Sequence, residues 1–383
     1  INAALNTKDE NDSPEEHFTD TIKAACGLAD PNAVWGMTQA APELVHWLLK
    51  LGVKFNMSGY DDVDLRNFGG QKKKRTAFAQ SDTGKQIMTA MIDAVRRKEA
   101  SGMVERFSHH SFLTLRLCGN ICCGCVIRDE YSQETVELPG DAVIVATGGM
   151  HGLFGNTTGS LSNTGEVTAE LFRLGVPLAN GEMIQYHPTT VKCGGKRMLI
   201  SEAARGEGGR LFAMKDGKQW YFMEEKYPEL GNLMPRDITA REIWKVSHES
   251  EVFLDMTEIS EEIISNKLSG LADDCMTYLH KDIRKEPVSV LPGIHYFMGG
   301  ILVDEQHRTP IQNLYAAGEC CAQYHGANRL GGNSLLGALY GGRVAAKSAC
   351  EQADVVDLSC ATQIDFPPAS QISEIKQLNK VMQ

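Results

Sequence analysis

The run from His325 to Arg343, HGANRLGGNSLLGALYGGR, limits what this chain can become more than any other stretch. It sets an imidazole (His325) and a fixed guanidinium (Arg329) beside a glycine pair, Gly331 and Gly332, and opens an apolar helical run at Asn333 and Ser334. Asn or Ser ahead of such a run reads as an N-cap. The first turn of a helix carries unpaired N–H groups and a partial positive charge, so the sequence predicts a turn that receives an anion. Gly337, Gly341 and Gly342 keep one helix face thin, which predicts something lying close against it.

At 383 residues the chain can hold two domains and a sizeable core. Its formal net charge of −11 argues against nucleic acid or an anionic membrane as the main partner. An anionic ligand therefore has to be held by local Arg and His. Eleven cysteines, an odd number without a paired framework, fit a reducing compartment. No apolar run reaches the length of a membrane span and no signal peptide is visible, so the expected location is cytoplasmic.

Along the chain, residues 9–31 turn from polar to helical, and Ala33 to Leu51 reads as an amphipathic helix stopped by Gly52. A loop rich in Gly, Lys and Asp carries RNFGGQ at Arg66–Gln71. Asp82, Thr83 and Gly84 then cap a helix to about Arg97, with Ile87, Met88, Met91, Ile92 and Val95 at helical spacing. Gly69, Gly70 and Gly84 fit plain turns as well as a ligand-lined one. Residues 102–147 alternate as strands. The last piece, Ala142–Thr147, is a continuous apolar run ending at Gly148 and Gly149, which predicts a buried parallel strand whose carboxyl end meets a cofactor. NTGE at Asn163–Glu166 and a helix over 167–174 follow. Cys118, Cys122, Cys123 and Cys125 fall across the predicted hairpin, where alternation would put Cys123 and Cys125 on one face and Cys122 on the other. That spacing suits buried thiols, and no metal site is predicted.

From about Gly181 the chain changes character, and a second domain is expected over 182–294. It contains QYHPTT (Gln185–Thr190), SEAARGEGGRLF (Ser201–Phe212), MPRDITARE (Met234–Glu242) and VFLDM (Val252–Met256). HYFMGG (His295–Gly300) and LYAAGE (Leu314–Glu319) return the chain to the first domain. On residue types alone His295 is the natural acid–base group, because a guanidinium stays protonated.

HGANRLGGNSLL, LYAAGE and HYFMGG together resemble the flavoprotein subunit of succinate dehydrogenase and fumarate reductase, and the likeness runs through most of residues 60–350. The resemblance implies an α/β fold: an FAD-binding Rossmann-like domain over 1–181 and 295–353, incomplete at its amino terminus, with an inserted α+β capping domain over 182–294. Residues 354–383 would begin a truncated carboxyl-terminal helical region. The chain opens at Ile1 without methionine and holds no GxGxxG after a strand, so the pyrophosphate turn is expected upstream, as is the histidine to which membrane-bound members often attach the flavin.

The implied reaction is interconversion of fumarate and succinate at FAD. The positions matching the family's substrate binders are His187, Ser201 (often Thr in the family), His295 and Arg329. Arg236 matches the proton-transferring residue, re-protonated through Glu202 and Arg205. Thr147, Gly148, Gly149, Glu166 (usually Asp), Glu319, Ser334 and Leu335 match cofactor contacts, with Glu319 on the ribityl chain and Ser334 and Leu335 on the isoalloxazine edge. L-Aspartate oxidase is the close sibling and the alternative. PRDITARE and VFLDM lean toward it and RNFGG and RLGGNS away, while Phe68 stands where the oxidase usually has an acidic residue for the substrate ammonium. A non-catalytic flavin scaffold or inactive fragment is the third reading. Implied partners are a dicarboxylate and an iron-sulfur subunit, and through the latter a membrane anchor on the cytoplasmic face. Neither nucleic acid nor a direct membrane span is expected.

Overall fold

The computed structural model describes residues 1–352 except 9, 10, 60, 69 and 81, so Gly69 and the expected helical region over 354–383 lie outside the described residues. Apolar side chains sort into three main clusters. One draws every buried member from 191–290, among them Ile200, Leu211, Phe222, Ile243 and Leu254. A second joins Ile1, Val34, Met37, Leu44, Leu48, Ile87 and Leu336. The third joins Leu115, Cys122, Val145, Leu171, Ile301 and Leu314. Each such buried aliphatic side chain contributes about 1.5–3 kcal/mol.

The second cluster is built by helices whose ends follow from sequence. Pro14–Ala25 is capped by Ser13, which accepts from Glu16 N at 3.1 Å. Pro31–Leu51 is capped by Asp30, which accepts from Asn32 N at 2.8 Å, and is stopped by Gly52 in the left-handed region. Thr83–Ala100 departs from expectation twice. Asp82 makes no side-chain cap; instead the Thr83 hydroxyl accepts from Ala79 N at 3.0 Å. Ile87 and Ala90 are buried, whereas Met88, Ile92 and Val95 are 54%, 41% and 48% exposed, because only a narrow stripe of this helix meets its neighbours.

Strands His110–Cys118, Ile121–Asp129 and Thr135–Pro139 form an antiparallel sheet. Val143–Val145 leaves it and pairs in parallel with Leu314–Ala316. The parallel pairing agrees with the sequence, but burial on both faces does not: Val145 is buried while Ile144 is 40% exposed, since this sheet has two strands among the described residues. The cysteine pattern is also corrected. Leu115 pairs with Cys125 and Leu117 with Cys122, a register shift around Gly124, whose φ is +132°. The bulge breaks the alternation and turns Cys122 and Cys125 onto the same core. Burial pushes the Cys122 thiol up to about 11. Nine of the described cysteines are free thiols.

Two antiparallel sheets shape the 182–294 region. Lys218–Trp220, Arg210–Lys215, Val252–Asp255 and Val288–Ser289 line up in that order, and Leu291–Phe297, Ile184–Cys193 and Lys196–Leu199 form the other sheet. In the latter, Ile294 pairs with Tyr186 and Tyr296 with Gln185, so His295 is the extra residue of a bulge. Bulges of this kind re-aim a side chain. Among the described residues no helix is long and apolar enough to cross a membrane.

Candidate active site

His187, Ser201, Glu202, Arg236, His295, Arg329, Ser334 and Leu335 line one cavity of about 190 Å³, together with Arg66, Phe68 and Leu199. They arrive from separate elements. His187 stands on the Ile184–Cys193 strand opposite Gly293, and His295 on the bulge beside it, with ring centroids 5.2 Å apart. Ser201 caps the short helix Glu202–Gly206 by accepting from Ala203 N at 3.2 Å, which leaves its own O–H to donate elsewhere. Arg236 opens the helix Arg236–Val246 directly after Pro235.

One carboxylate organises the cations. Glu202 Oε2 accepts from Arg236 Nε at 2.8 Å and meets Arg236 Nη2 at 2.7 Å, and its Oε1 lies 3.7 Å from Arg205 Nη2. Arg205 sits behind Glu202, outside the cavity lining, and donates to Asn232 O at 2.5 Å. Gly331 makes room for the pair: a Cβ there would stand 2.9 Å from Arg236 Nη2 and 3.1 Å from Glu202 Oε2. Arg329 is 3% exposed and has no carboxylate partner among the described residues; it lies 4.3 Å over the Tyr296 ring and its Nε is unpaired. Desolvation, then Arg236, pushes its pKa down to about 9. The buried Arg75, by contrast, is held by Asp12 at 2.8 Å and Asp20 at 2.9 Å.

Desolvation first and the arginines after it hold His187 well below the ordinary imidazole range. His295 is lowered by desolvation, then by His187, Arg236 and Arg329. Both rings are therefore neutral donors or acceptors. With three guanidiniums (Arg66, Arg236, Arg329) against one carboxylate (Glu202), the lining carries a surplus of two positive charges. That surplus suits a dianion.

The anion-binding turn departs from its expected form. Asn333 does not face the cavity. Its buried side chain accepts from Asn2 Nδ2 at 2.7 Å and His17 Nε2 at 2.9 Å and donates to Thr21 at 3.1 Å, while Ser334 and Leu335 line the cavity in its place. His325 is buried on Tyr296 and Tyr324 with both ring nitrogens unpaired, and is no part of the lining. The thin helix face is filled by the protein itself: Tyr324 packs over Gly337 and His307 over Gly341.

The other expected positions lie at the carboxyl ends of the parallel strands. Ala316 pairs with Val145, so the turns Thr147–Gly149 and Gly318–Glu319 emerge side by side. Gly148 adopts φ +73°, and a Cβ on Gly149 would come within 2.7 Å of Glu319 Oε1. That oxygen accepts from Phe297 N at 3.0 Å and meets His151 Nε2 at 3.1 Å. The second carboxylate oxygen of Glu319 takes no hydrogen bond from the described residues. An open carboxylate oxygen at the carboxyl ends of parallel strands fits a polyhydroxyl cofactor chain. Thr147 and Glu166 are exposed, and neither lines the cavity.

Sequence reasoning missed several partners. Gln185 accepts from Arg236 Nη1 at 3.2 Å and donates to Arg329 O at 2.7 Å. Thr158 Oγ1 lies 2.8 Å from His295 Nδ1. Arg66 and Gln185 each open a word already singled out, RNFGGQ and QYHPTT, whereas Thr158 had no signal.

Residues 1–335 match the family model described as an FAD binding domain. The chain is 42% identical over 368 residues to the succinate dehydrogenase flavoprotein subunit of Bacillus subtilis, covering 94% of this chain and 63% of that protein. It is 35% identical over 337 residues to L-aspartate oxidase of Nostoc sp., covering 85% of this chain and 56% of that one. A solved structure of E. coli quinol fumarate reductase superposes with a TM-score of 0.86 at 29% identity, covering 98% of this chain and 66% of the other. The chain thus spans less than two thirds of the length of these curated relatives.

Proposed function

The chain belongs to the FAD-binding domain family, and on that premise we propose that it is the flavoprotein part of an oxidoreductase interconverting fumarate and succinate. The observation that carries this reading is the unbalanced positive charge of the inner cavity: a dianion supplies the two negative charges the lining lacks. When bound, FAD supplies the two-electron exchange. The protein's residues hold the substrate and move the proton.

In this reading Arg329 forks onto one carboxylate, which replaces the counter-ion it does not have. His295, fixed by Thr158, donates to the same end. Ser201 donates its free O–H to the other carboxylate, and His187 does so from Nε2 when Nδ1 accepts from Thr189 N. Arg236 is held on three nitrogens by Glu202 and Gln185, so its guanidinium keeps one orientation toward the substrate carbon. It gives a proton to that carbon in fumarate reduction and takes one from it in the reverse direction, with Glu202 and Arg205 restoring the proton. Phe68 and Leu199 keep water from the reacting face.

On the same reading, 1–181 and 295–353 form the Rossmann-like FAD unit and 182–294 an inserted α+β cap. The cluster confined to 191–290 supports it. Thr147, Gly148, Gly149, Glu166 and Glu319 hold the cofactor, with Ser334 and Leu335 at the ring edge. An iron-sulfur subunit would carry the electrons onward, placing the protein peripherally at the cytoplasmic face of a membrane; the Bacillus relative is itself named as a subunit.

L-Aspartate oxidation is the competing chemistry. Among the described residues the lining offers no free carboxylate for the substrate ammonium, since Phe68 lines the cavity and Glu202 is taken by two arginines. The deciding assay compares FAD-loaded protein with reduced dye plus fumarate and with L-aspartate plus oxygen. The expected result is fumarate-dependent dye oxidation, lost in Arg236→Ala while flavin stays bound. Turnover of L-aspartate alone, or near-normal fumarate reduction by Arg236→Ala, would overturn the proposal.

A further inference from the structure

Next to the inner cavity lies an outer one of about 250 Å³, lined by Lys8, Asp64, Arg66, Asn67, Lys74, Glu207 and Lys267 among others. Arg66 is the residue common to both linings. Its guanidinium is 4.4 Å from the Phe78 ring and 5.2 Å from the Phe68 ring, and among the described residues it donates to Gln80 O at 3.4 Å. It has no carboxylate within ion-pair distance among the described residues, and its Nε is buried without a partner. Asn67 Oδ1 in the same wall is likewise buried and unpaired. Lys8 is held by Asp64 at 3.1 Å and Lys267 by Glu207 at 2.9 Å.

We propose that the outer cavity is an antechamber for the dicarboxylate and that Arg66 passes the dianion inward, holding one carboxylate until Arg329 and the imidazoles take it. The inference rests on the dicarboxylate reading above. Salt screens the chain's net charge of −11 beyond about 8–10 Å, so a dianion at this face responds to the local groups, Arg66 foremost because it has no carboxylate within ion-pair distance among the described residues. Arg66 is cradled by ring faces, not locked by an acid, so it can turn from one cavity to the other without breaking an ion pair.

The test is stopped-flow binding of malonate, a non-reacting dicarboxylate, to the FAD-loaded full chain, read by flavin absorbance at several ionic strengths. Arg66→Met should lower the association rate constant about tenfold and flatten the ionic-strength dependence. Lys267→Met, which leaves Glu207 unpaired in the antechamber, should give a smaller loss in the same sense. Association of Arg66→Met at the wild-type rate overturns the role of Arg66, even where turnover falls. If that variant does not fold, an unchanged ionic-strength slope for Lys267→Met overturns the antechamber. Wild-type protein that binds neither malonate nor succinate refutes the dicarboxylate reading itself, and the inference with it.

Discussion

Replacing Arg329 with Met should make the protein more stable and unable to hold a dianion. The guanidinium is 3% exposed and lacks a carboxylate partner among the described residues, and its pKa falls from the ordinary 12.5 to about 9. That drop corresponds to about 5 kcal/mol of cost in keeping the charge buried. The penalty stands in full at neutral pH and fades as pH rises from about 9 toward 12.5, because the folded state gives up the proton first. Met keeps most of the aliphatic stem but loses the contact with the Tyr296 ring, worth about 2 kcal/mol, and the hydrogen bond to Leu330 O, worth about 1 kcal/mol. The net gain is about 2 kcal/mol, a rise in Tm of about 2–5 °C. The assay is thermal melting of FAD-saturated protein at pH 7, with and without malonate. Wild type should gain stability from malonate and Arg329→Met should not, in keeping with binding linkage. A variant that melts below wild type without dicarboxylate, or that still responds to malonate, refutes the argument that this cation is stored for a ligand.

Two further expectations follow from the same site and its supports. Desolvation holds His17, His187 and His325 below their ordinary range, with His17 pushed down to about 3. A buried neutral imidazole contributes stability that is present above pH 6.5 and is lost as pH falls, at about 1.4 kcal/mol per pH unit for each ring. Melting temperature should therefore drop steeply below pH 6.5, less so in His17→Gln; a flat profile down to pH 5 would contradict it. Gly331→Ala puts a Cβ 2.9 Å from both Arg236 Nη2 and the Phe68 ring, so the guanidinium must shift by several tenths of an ångström. Fumarate reduction should fall about a hundredfold with flavin still bound, because proton transfer depends on that placement. Turnover within about threefold of wild type would mean that Arg236 need not be held where it is.

Much of this architecture was legible because its features are continuous in sequence. The apolar run before Gly148 is a strand and pairs in parallel. Ala33–Leu51 is a helix ended by Gly52, and the words around His187, Ser201, Arg236, His295 and Arg329 converge on one cavity. What was not legible depends on contacts between distant segments. Nothing in GIHYF announces that His295 sits on a bulge, since the shift exists only relative to Gln185 and Tyr186 across the sheet. The bulge at Gly124 likewise defeated strand alternation at the cysteines. Local type and spacing mark Asn333 as a cap, but a tertiary network claims its side chain first. The helix Thr83–Ala100 had the right periodicity, yet periodicity says which residues share a face and not whether a neighbour covers it. Thr158 and Gln185 act through partners that no local pattern names.

The side chain of Asn333 ties Asn2, His17 and Thr21 together, and Asn2 also donates to Gly331 O at 2.9 Å. The first residues of the chain, the helix Pro14–Ala25 and the turn at Gly331 are therefore tied by one hydrogen-bond network. Their backbone amides should exchange with solvent through one shared opening, with a common protection factor for Ala3 and Leu336. A change at Thr21 or His17, which lie outside the cavity lining, would then loosen Ser334 and Leu335 within it.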